Sequence, residues 1–434
     1  MNKTKELLVT AFALFALFFG AANLLLPPLL GYNSGSDWML VTLGFTITAV
    51  LIPILGIYVH AKLQGTMYDF GKKVSPLFSR VFCVVVYAIS IAIPSPRTAS
   101  ATHEIAVFPV FDNPAWITST VYFGLVLIFV LNRSKIMSFI GKYLTPIIGI
   151  MLLLVIGISI ADGANLVGDS TLTTPLVSGI LEGYQTFDAI GAVVVGAVII
   201  VSLNMRGHTD YQAKKTLIWK AGLIAGIGLL IMYAGLIFSG VNYLGEIEGF
   251  SQMNGELRRS SLLRGIITST IGANGNTVLS VLMALACFTT AVGIIAGTAD
   301  YFKGVFKDNH KAYVITAIIG CLLGVLVGQM EFHSIIVAAT PVLALIYPLV
   351  IVLIFLNALP TRFASPMVFK AVAIITFVFS LPDVIGGIGG QELVSGLKNH
   401  IPLAEFSMGW VLPAVLAFLV VNMLFKPKSN PNLT

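Results

Sequence analysis

Phe18-Phe19-Gly20-Ala21-Ala22-Asn23-Leu24-Leu25-Leu26-Pro27-Pro28 lies inside the first apolar stretch of the chain, residues 7–31. A helix in lipid satisfies its own backbone. Small residues, one amide side chain and two prolines that cannot donate to the helix ladder therefore mark a place where something other than lipid is solvated. The stretch predicts a local unwinding. Carbonyls freed there suit a cation, and the start of the following half-helix offers amide hydrogens to a carboxylate. The alternative is a small-residue packing face with a proline kink.

Three further stretches break the same rules. Glu182-Gly183-Tyr184-Gln185-Thr186-Phe187-Asp188-Ala189-Ile190-Gly191 interrupts the apolar stretch 177–203. A carboxylate at membrane depth costs about 2.5–3.5 kcal/mol, so Asp188 is expected to face a watery cavity, a cation or a basic partner. Glu182 lies either at that depth or in the adjoining loop. Pro94-Ser95-Pro96-Arg97-Thr98 places an arginine in a proline-kinked span that runs on through Glu104. Arg97 snorkels, pairs with an internal acid such as Glu182 or Asp188, or meets a carboxylate directly. Arg97, Glu104 and Glu182 are thus gating or ion-pair candidates. Ala286-Cys287-Phe288-Thr289-Thr290 puts adjacent hydroxyls in an apolar helix, about 100° apart. They offer two hard oxygens of the kind sodium favours, or they bond back to the preceding turn.

Around these stretches the composition leaves one class of protein. The 434 residues are 57% hydrophobic and 10% charged, against about 25% charged in a soluble domain. Apolar stretches near the length of about 20 residues that spans a bilayer recur at 7–31, 38–60, 80–105, 115–132, 139–161, 177–203, 216–240, 276–302, 312–328, 332–358, 366–386 and 403–425. The reading is an all-α integral membrane protein with twelve transmembrane helices. The first stretch exceeds a signal-peptide core of about 7–15 residues, so it is expected to stay in the mature chain. Alternating the connections between two sides leaves only Arg258, Arg259, Arg264 and Lys398 on one side and Arg97 within a span. All other Lys and Arg, including Lys426 and Lys428 after the last span, fall on the opposite side. By the positive-inside rule both termini are then cytoplasmic. The segment 257–271 in the longest connection, 241–275, reads as a short surface helix. Trp38, Trp116 and Trp219 fall at span ends, where their rings suit the headgroup level or simply pack.

Other functions find no support. The net charge of +6 is spread between spans and not gathered on one face, which argues against a nucleic-acid partner. Gly141-Lys142-Tyr143 and Gly71-Lys72-Lys73 lack the phosphate-cradling pattern of an ATP-driven pump. His103-Glu104 has Val107 where a zinc-protease motif needs its second histidine. The run from Gly386 to Gly390 lacks dinucleotide spacing. Cys83, Cys287 and Cys321 stand singly in apolar runs, as small core residues. The six histidines lie near span ends, which weakens any reading as an intramembrane enzyme.

Spans 1 and 6 open two five-span sets of opposite orientation, the arithmetic of an inverted repeat whose paired interrupted helices form a midplane site. Repeat 1 covers 7–161 and repeat 2 covers 177–358, with helices over 366–425 as peripheral additions to a single transporter domain.

The chain resembles the bacterial branched-chain amino acid:cation symporters of the BrnQ type along its whole length. The likeness is carried by Leu17 to Leu24 with Pro27-Pro28, by Pro96-Arg97-Thr98-Ala99 with Glu104, and by Gly183-Tyr184 with Asp188-Ala189. It implies a leucine-transporter-like fold and import of leucine, isoleucine and valine driven by sodium or protons. It also implies no enzymatic activity, no cofactor and no obligate protein partner beyond the lipid bilayer of the cell membrane. Substrate residues are then expected at Phe19, Gly20, Ala21, Ala22, Asn23, Phe187, Asp188, Ala189 and Ile190. Sodium ligands are expected at Thr289 and Thr290 with the carbonyls of Ala16, Phe19 and Ala286. A pocket lined by Phe187 and Ile190 separates aliphatic tails by only about 10- to 200-fold per methylene, so one carrier for three branched side chains is expected. A carrier or exporter of another small hydrophobic solute is the competing reading.

Overall fold

The computed structural model describes residues 3–133, 135–161 and 168–425. Lys426 and Lys428 lie outside the described residues. The described secondary structure is entirely helical. The first apolar stretch is two helices, α1 (Lys3–Phe18) and α2 (Ala21–Ser34), separated at Phe19–Gly20. The break falls before the prolines: Pro27 and Pro28 sit inside α2. Gly35 then turns the chain with φ +45°, in the region glycine favours. The second stretch follows as α3 (Trp38–Thr46), a π-helical turn over Ile47–Leu51, and α4 (Ile52–Leu63).

The third stretch bends where its prolines predict. It is α5 (Pro76–Ala92) and α6 (Pro94–Ala101), with Ile93 at φ −125°, ψ −72° between them, because a proline disfavours helical backbone in the residue before it. Then come α7 (Ala115–Leu131) and α8 (Thr145–Ala161). The sixth stretch is again two helices, α9 (Pro175–Tyr184) and α10 (Asp188–Met205). It is followed by α11 (Tyr211–Val241), the expected short helix α12 (Gly255–Ile271), and α13 (Gly275–Val305). The series ends with α14 (His310–Val327), α15 (Phe332–Ala358), α16 (Pro366–Gly387), α17 (Gln391–Lys398) and α18 (Val411–Leu424). Among the described residues, nine helical stretches are long and apolar enough to cross a membrane, and two shorter apolar helices, Ala115–Leu131 and Val411–Leu424, accompany them.

The chain forms two compact units, residues 1–64 with 87–336, and residues 65–86 with 337–434. In the first, α2 and α1 pack on α11, α9 packs on α3, and α10 packs on α4. α13 packs on α6, α10 and α14, and α14 packs on α7. Small residues set the closest approaches, as expected where lipid supplies no hydrophobic drive between helices. A Cβ on Gly240 would stand 2.0 Å from the Pro28 carbonyl, and one on Gly179 would stand 2.2 Å from that of Val41. In the second unit α16 packs on α17 and α18, and Lys398 Nζ meets Asp383 Oδ1 at 2.7 Å.

Candidate substrate and cation site

The two helix breaks meet through one side chain. Asn23, 2% exposed, sits in the first turn of α2 and reaches back so that its Oδ1 accepts from the Gly20 N–H at 3.1 Å. Its Nδ2 donates to Asp188 Oδ2 at 2.6 Å and to Tyr233 Oη at 2.6 Å. The amide therefore links α2 to the start of α10 and to α11. The second break owes its shape to Phe187, which takes a left-handed φ of +59°. Aromatic residues rarely visit this region, and here it interrupts the helix between Tyr184 and Asp188. The Thr186 hydroxyl donates to the Gly183 carbonyl at 2.8 Å and accepts from the Asp188 N–H at 3.3 Å, so it covers groups that the break leaves open.

A cavity of about 70 Å³ lies between the breaks. Gly20, Ala21, Ala22 and Asn23 line it from the first break, and Phe187, Asp188 and Ile190 from the second. Thr290 and Ile294 of α13 and Arg97 and Thr98 of α6 complete much of the wall. Two expected substrate residues stand apart from that wall. Phe19 stacks on Phe15 and Tyr233, at 5.4 and 6.0 Å between ring centres, and Ala189 is buried in the packing behind.

The hydroxyl pair of α13 lies beside the first break. Thr289 Oγ1 is 2.7 Å from the Ala16 carbonyl and 3.0 Å from the Ala286 carbonyl, and Thr290 Oγ1 is 3.2 Å from the latter. Back-bonding to the preceding turn, one of the two readings of these residues, is present, and so is a contact across to α1. Hard oxygens from Ala16, Ala286, Thr289 and Thr290 are gathered in one place, a donor set that fits a small cation such as sodium. No hydrogen bond brings the Phe19 carbonyl into this group.

The charged candidates separate. Glu182, near the end of α9, is engaged by Arg259 of α12: Nη2 lies 2.9 and 3.0 Å from its two carboxylate oxygens, while Nη1 meets Glu256 at 2.5 Å. Burial alone would lower the Arg259 pKa, but the two carboxylates hold it above its ordinary value. Glu104 accepts from the Phe332 N–H at 2.7 Å and faces a wider cleft of about 900 Å³. Arg97 pairs with neither Glu182 nor Asp188, against the expectation of an internal ion pair. Its guanidinium lies over the Phe332 ring at 4.8 Å.

One group escaped the sequence reading. Arg133, beyond the end of α7, is 8% exposed and meets Asp300 of α13 at 2.7 Å. It also donates to Ser202 Oγ at 2.8 Å and to the Val198 carbonyl at 3.0 Å, both on α10. In sequence Arg133 was one more basic residue flanking a span, and Asp300 lay inside a predicted span with no partner in view. Only the fold makes them neighbours.

Known proteins give this arrangement a context. A family profile described as branched-chain amino acid transport protein matches residues 3–428. The chain is 34% identical over 438 residues to the branched-chain amino acid transport system 2 carrier protein of Pseudomonas aeruginosa, with 98% of each covered. It is 31% identical over 436 residues to the branched-chain amino acid permease BraB of Bacillus subtilis, covering 97% of this chain and 95% of that one. Its fold is similar to a solved Na+-coupled sialic acid symporter in a substrate-bound outward-open state, with TM-score 0.63, 13% identity, and 97% and 90% coverage. It is also similar to MhsT in complex with L-phenylalanine, with TM-score 0.51, 19% identity, and 95% and 97% coverage. These likenesses identify a leucine-transporter-like fold. A full-length family match, carrier relatives and apolar spanning helices make the chain a multi-pass transporter of the cell membrane, and it belongs to the branched-chain amino acid transport family.

Proposed function

We propose that this protein is a secondary symporter that imports leucine, isoleucine and valine against their gradients, coupled to sodium in preference to protons. The observation that carries the coupling is the Thr289 hydroxyl 2.7 Å from the Ala16 carbonyl, immediately before the first helix break. A cation held by Ala16, Ala286, Thr289 and Thr290 ties α1 to α13 and stiffens the wall that Gly20 and Thr290 share. Substrate then finds the cavity pre-formed, and each ligand raises the affinity of the other. Gly20, Ala21, Ala22, Asn23, Phe187, Asp188 and Ile190 form the substrate wall, with Phe19 and Ala189 supporting it from behind.

The architecture behind this reading is twelve spans with both termini cytoplasmic, an inverted repeat of 7–161 and 177–358, and peripheral helices over 366–425. The packing of α1, α2, α3, α4, α9, α10 and α11 supports a bundle that rocks against the remaining spans. Glu182 with Arg259 would close the outer path, and Arg133 with Asp300 the inner one. Asp188, a buried carboxylate on the cavity wall, is the group that would carry a proton were protons the coupling ion.

The test is leucine uptake into proteoliposomes under an imposed sodium gradient, compared with an imposed proton gradient. Accumulation with sodium alone supports the reading. Accumulation with protons alone moves the coupling to Asp188. Counterflow without accumulation under either gradient, or no counterflow of labelled leucine at all, would sink it.

A further inference from the structure

Arg97 is a cation with no carboxylate in contact with it. Among the described residues its guanidinium takes part in no ion pair and no hydrogen bond, and it lines the same small cavity as Asp188. It stands in the first turn of α6, where the positive end of the helix dipole disfavours it. A cation at membrane depth is costly unless something neutralises it. The acids nearest it are engaged elsewhere: Glu182 and Glu256, whose field reaches Arg97, by Arg259, Glu104 by the Phe332 N–H, and Asp188 through one oxygen by Asn23. The Phe332 ring gives only the modest attraction of a cation for a π face.

The cavity wall thus presents a guanidinium from α6 and a carboxyl group from α10 around a space that suits a small solute. An α-amino acid carries one charge of each sign on a single carbon and answers both, whereas a simple aliphatic acid or amine answers one. We infer that Arg97 receives the α-carboxylate of the transported amino acid through its planar guanidinium fork, while Asp188 faces the α-ammonium. The branched tail then lies against Phe187, Ile190 and Ile294. This assignment rests on the proposed amino-acid symport and adds to it the residue that demands a free carboxylate. A bidentate pair also orients the head group in a way that a single point charge does not.

The test measures binding of labelled leucine to the purified full chain in saturating sodium, with leucine amide, which lacks the carboxylate, as competitor. Wild type is expected to prefer leucine strongly. Arg97→Gln is expected to weaken leucine binding about 10- to 100-fold and to leave the amide nearly unchanged, so that the preference collapses. Arg97→Lys, with the charge but not the fork, should fall between. Phe332→Leu should keep the preference, since the ring only covers the guanidinium. If Arg97→Gln does not fold, folded Arg97→Lys decides on the same ratio. A variant that loses leucine and leucine amide in equal proportion, or that keeps the wild-type preference, overturns the assignment and leaves the symporter reading standing. Wild type that binds no leucine overturns both.

Discussion

Asn23 shows how much one amide can decide. It holds Asp188, Tyr233 and the Gly20 N–H at once, so Asn23→Leu would strand a buried carboxylate, a loss of about 1–3 kcal/mol. We expect leucine uptake by this variant in proteoliposomes to fall at least about tenfold. Thr42→Leu should cost far less, because the Thr42 hydroxyl only bonds back to Trp38 within α3. Equal losses would return Asn23 to ordinary packing. Thr289 and Thr290 carry a second prediction. Thr289→Ala combined with Thr290→Ala should abolish sodium-driven accumulation while the protein still folds, read as uptake against sodium concentration. An unchanged sodium dependence would remove the cation site from α13. The sequence showed these residues because each breaks a rule of lipid solvation: a lone amide, a lone acid, a hydroxyl pair. It could not show where their hydrogen bonds end, since Asn23 and Asp188 are 165 residues apart. For the same reason Glu182 was offered to Arg97, when its partner is Arg259 on a helix that was read only as surface.

Whole helices were legible where their interruptions were. Both breaks fall within the stretches that the small residues and acids marked, the first at Phe19–Gly20 among the small residues, while the prolines' missing N–H groups fall inside α2. The left-handed Phe187 had no signal, since nothing about an aromatic residue predicts φ +59°. Packing between helices was equally silent. Arg133 ties the end of α7 to α10 and α13 through Asp300, Ser202 and Val198. Removing one member of a buried ion pair costs about 3–5 kcal/mol, while replacing both with apolar groups is often neutral. Arg133→Met and Asp300→Leu should therefore each lower the melting temperature in detergent, and the double variant should recover most of the loss. Additive losses would mean that the two side chains act separately.

At the scale of the molecule, the charge asymmetry is a prediction about sidedness. Cys83, Cys287 and Cys321 are buried, so an introduced cysteine can be read on its own. Glu248→Cys should react with a membrane-impermeant maleimide in intact cells, and Lys311→Cys only after the cells are opened. The reverse result would invert the proposed topology. The span count and the repeat were arguments from hydropathy and charge. Which spans touch, and which side chains share a cavity, came only with the fold. Asn23 also bears on what the empty carrier does. Its two amide hydrogens both end on groups outside α2, so any motion that draws α2 away from α10 or α11 must leave at least one of them bare until water or cargo takes its place. The rocking bundle carries α2, α10 and α11 together, so both bonds outlast each change of side and the substrate wall keeps its shape whichever way it faces.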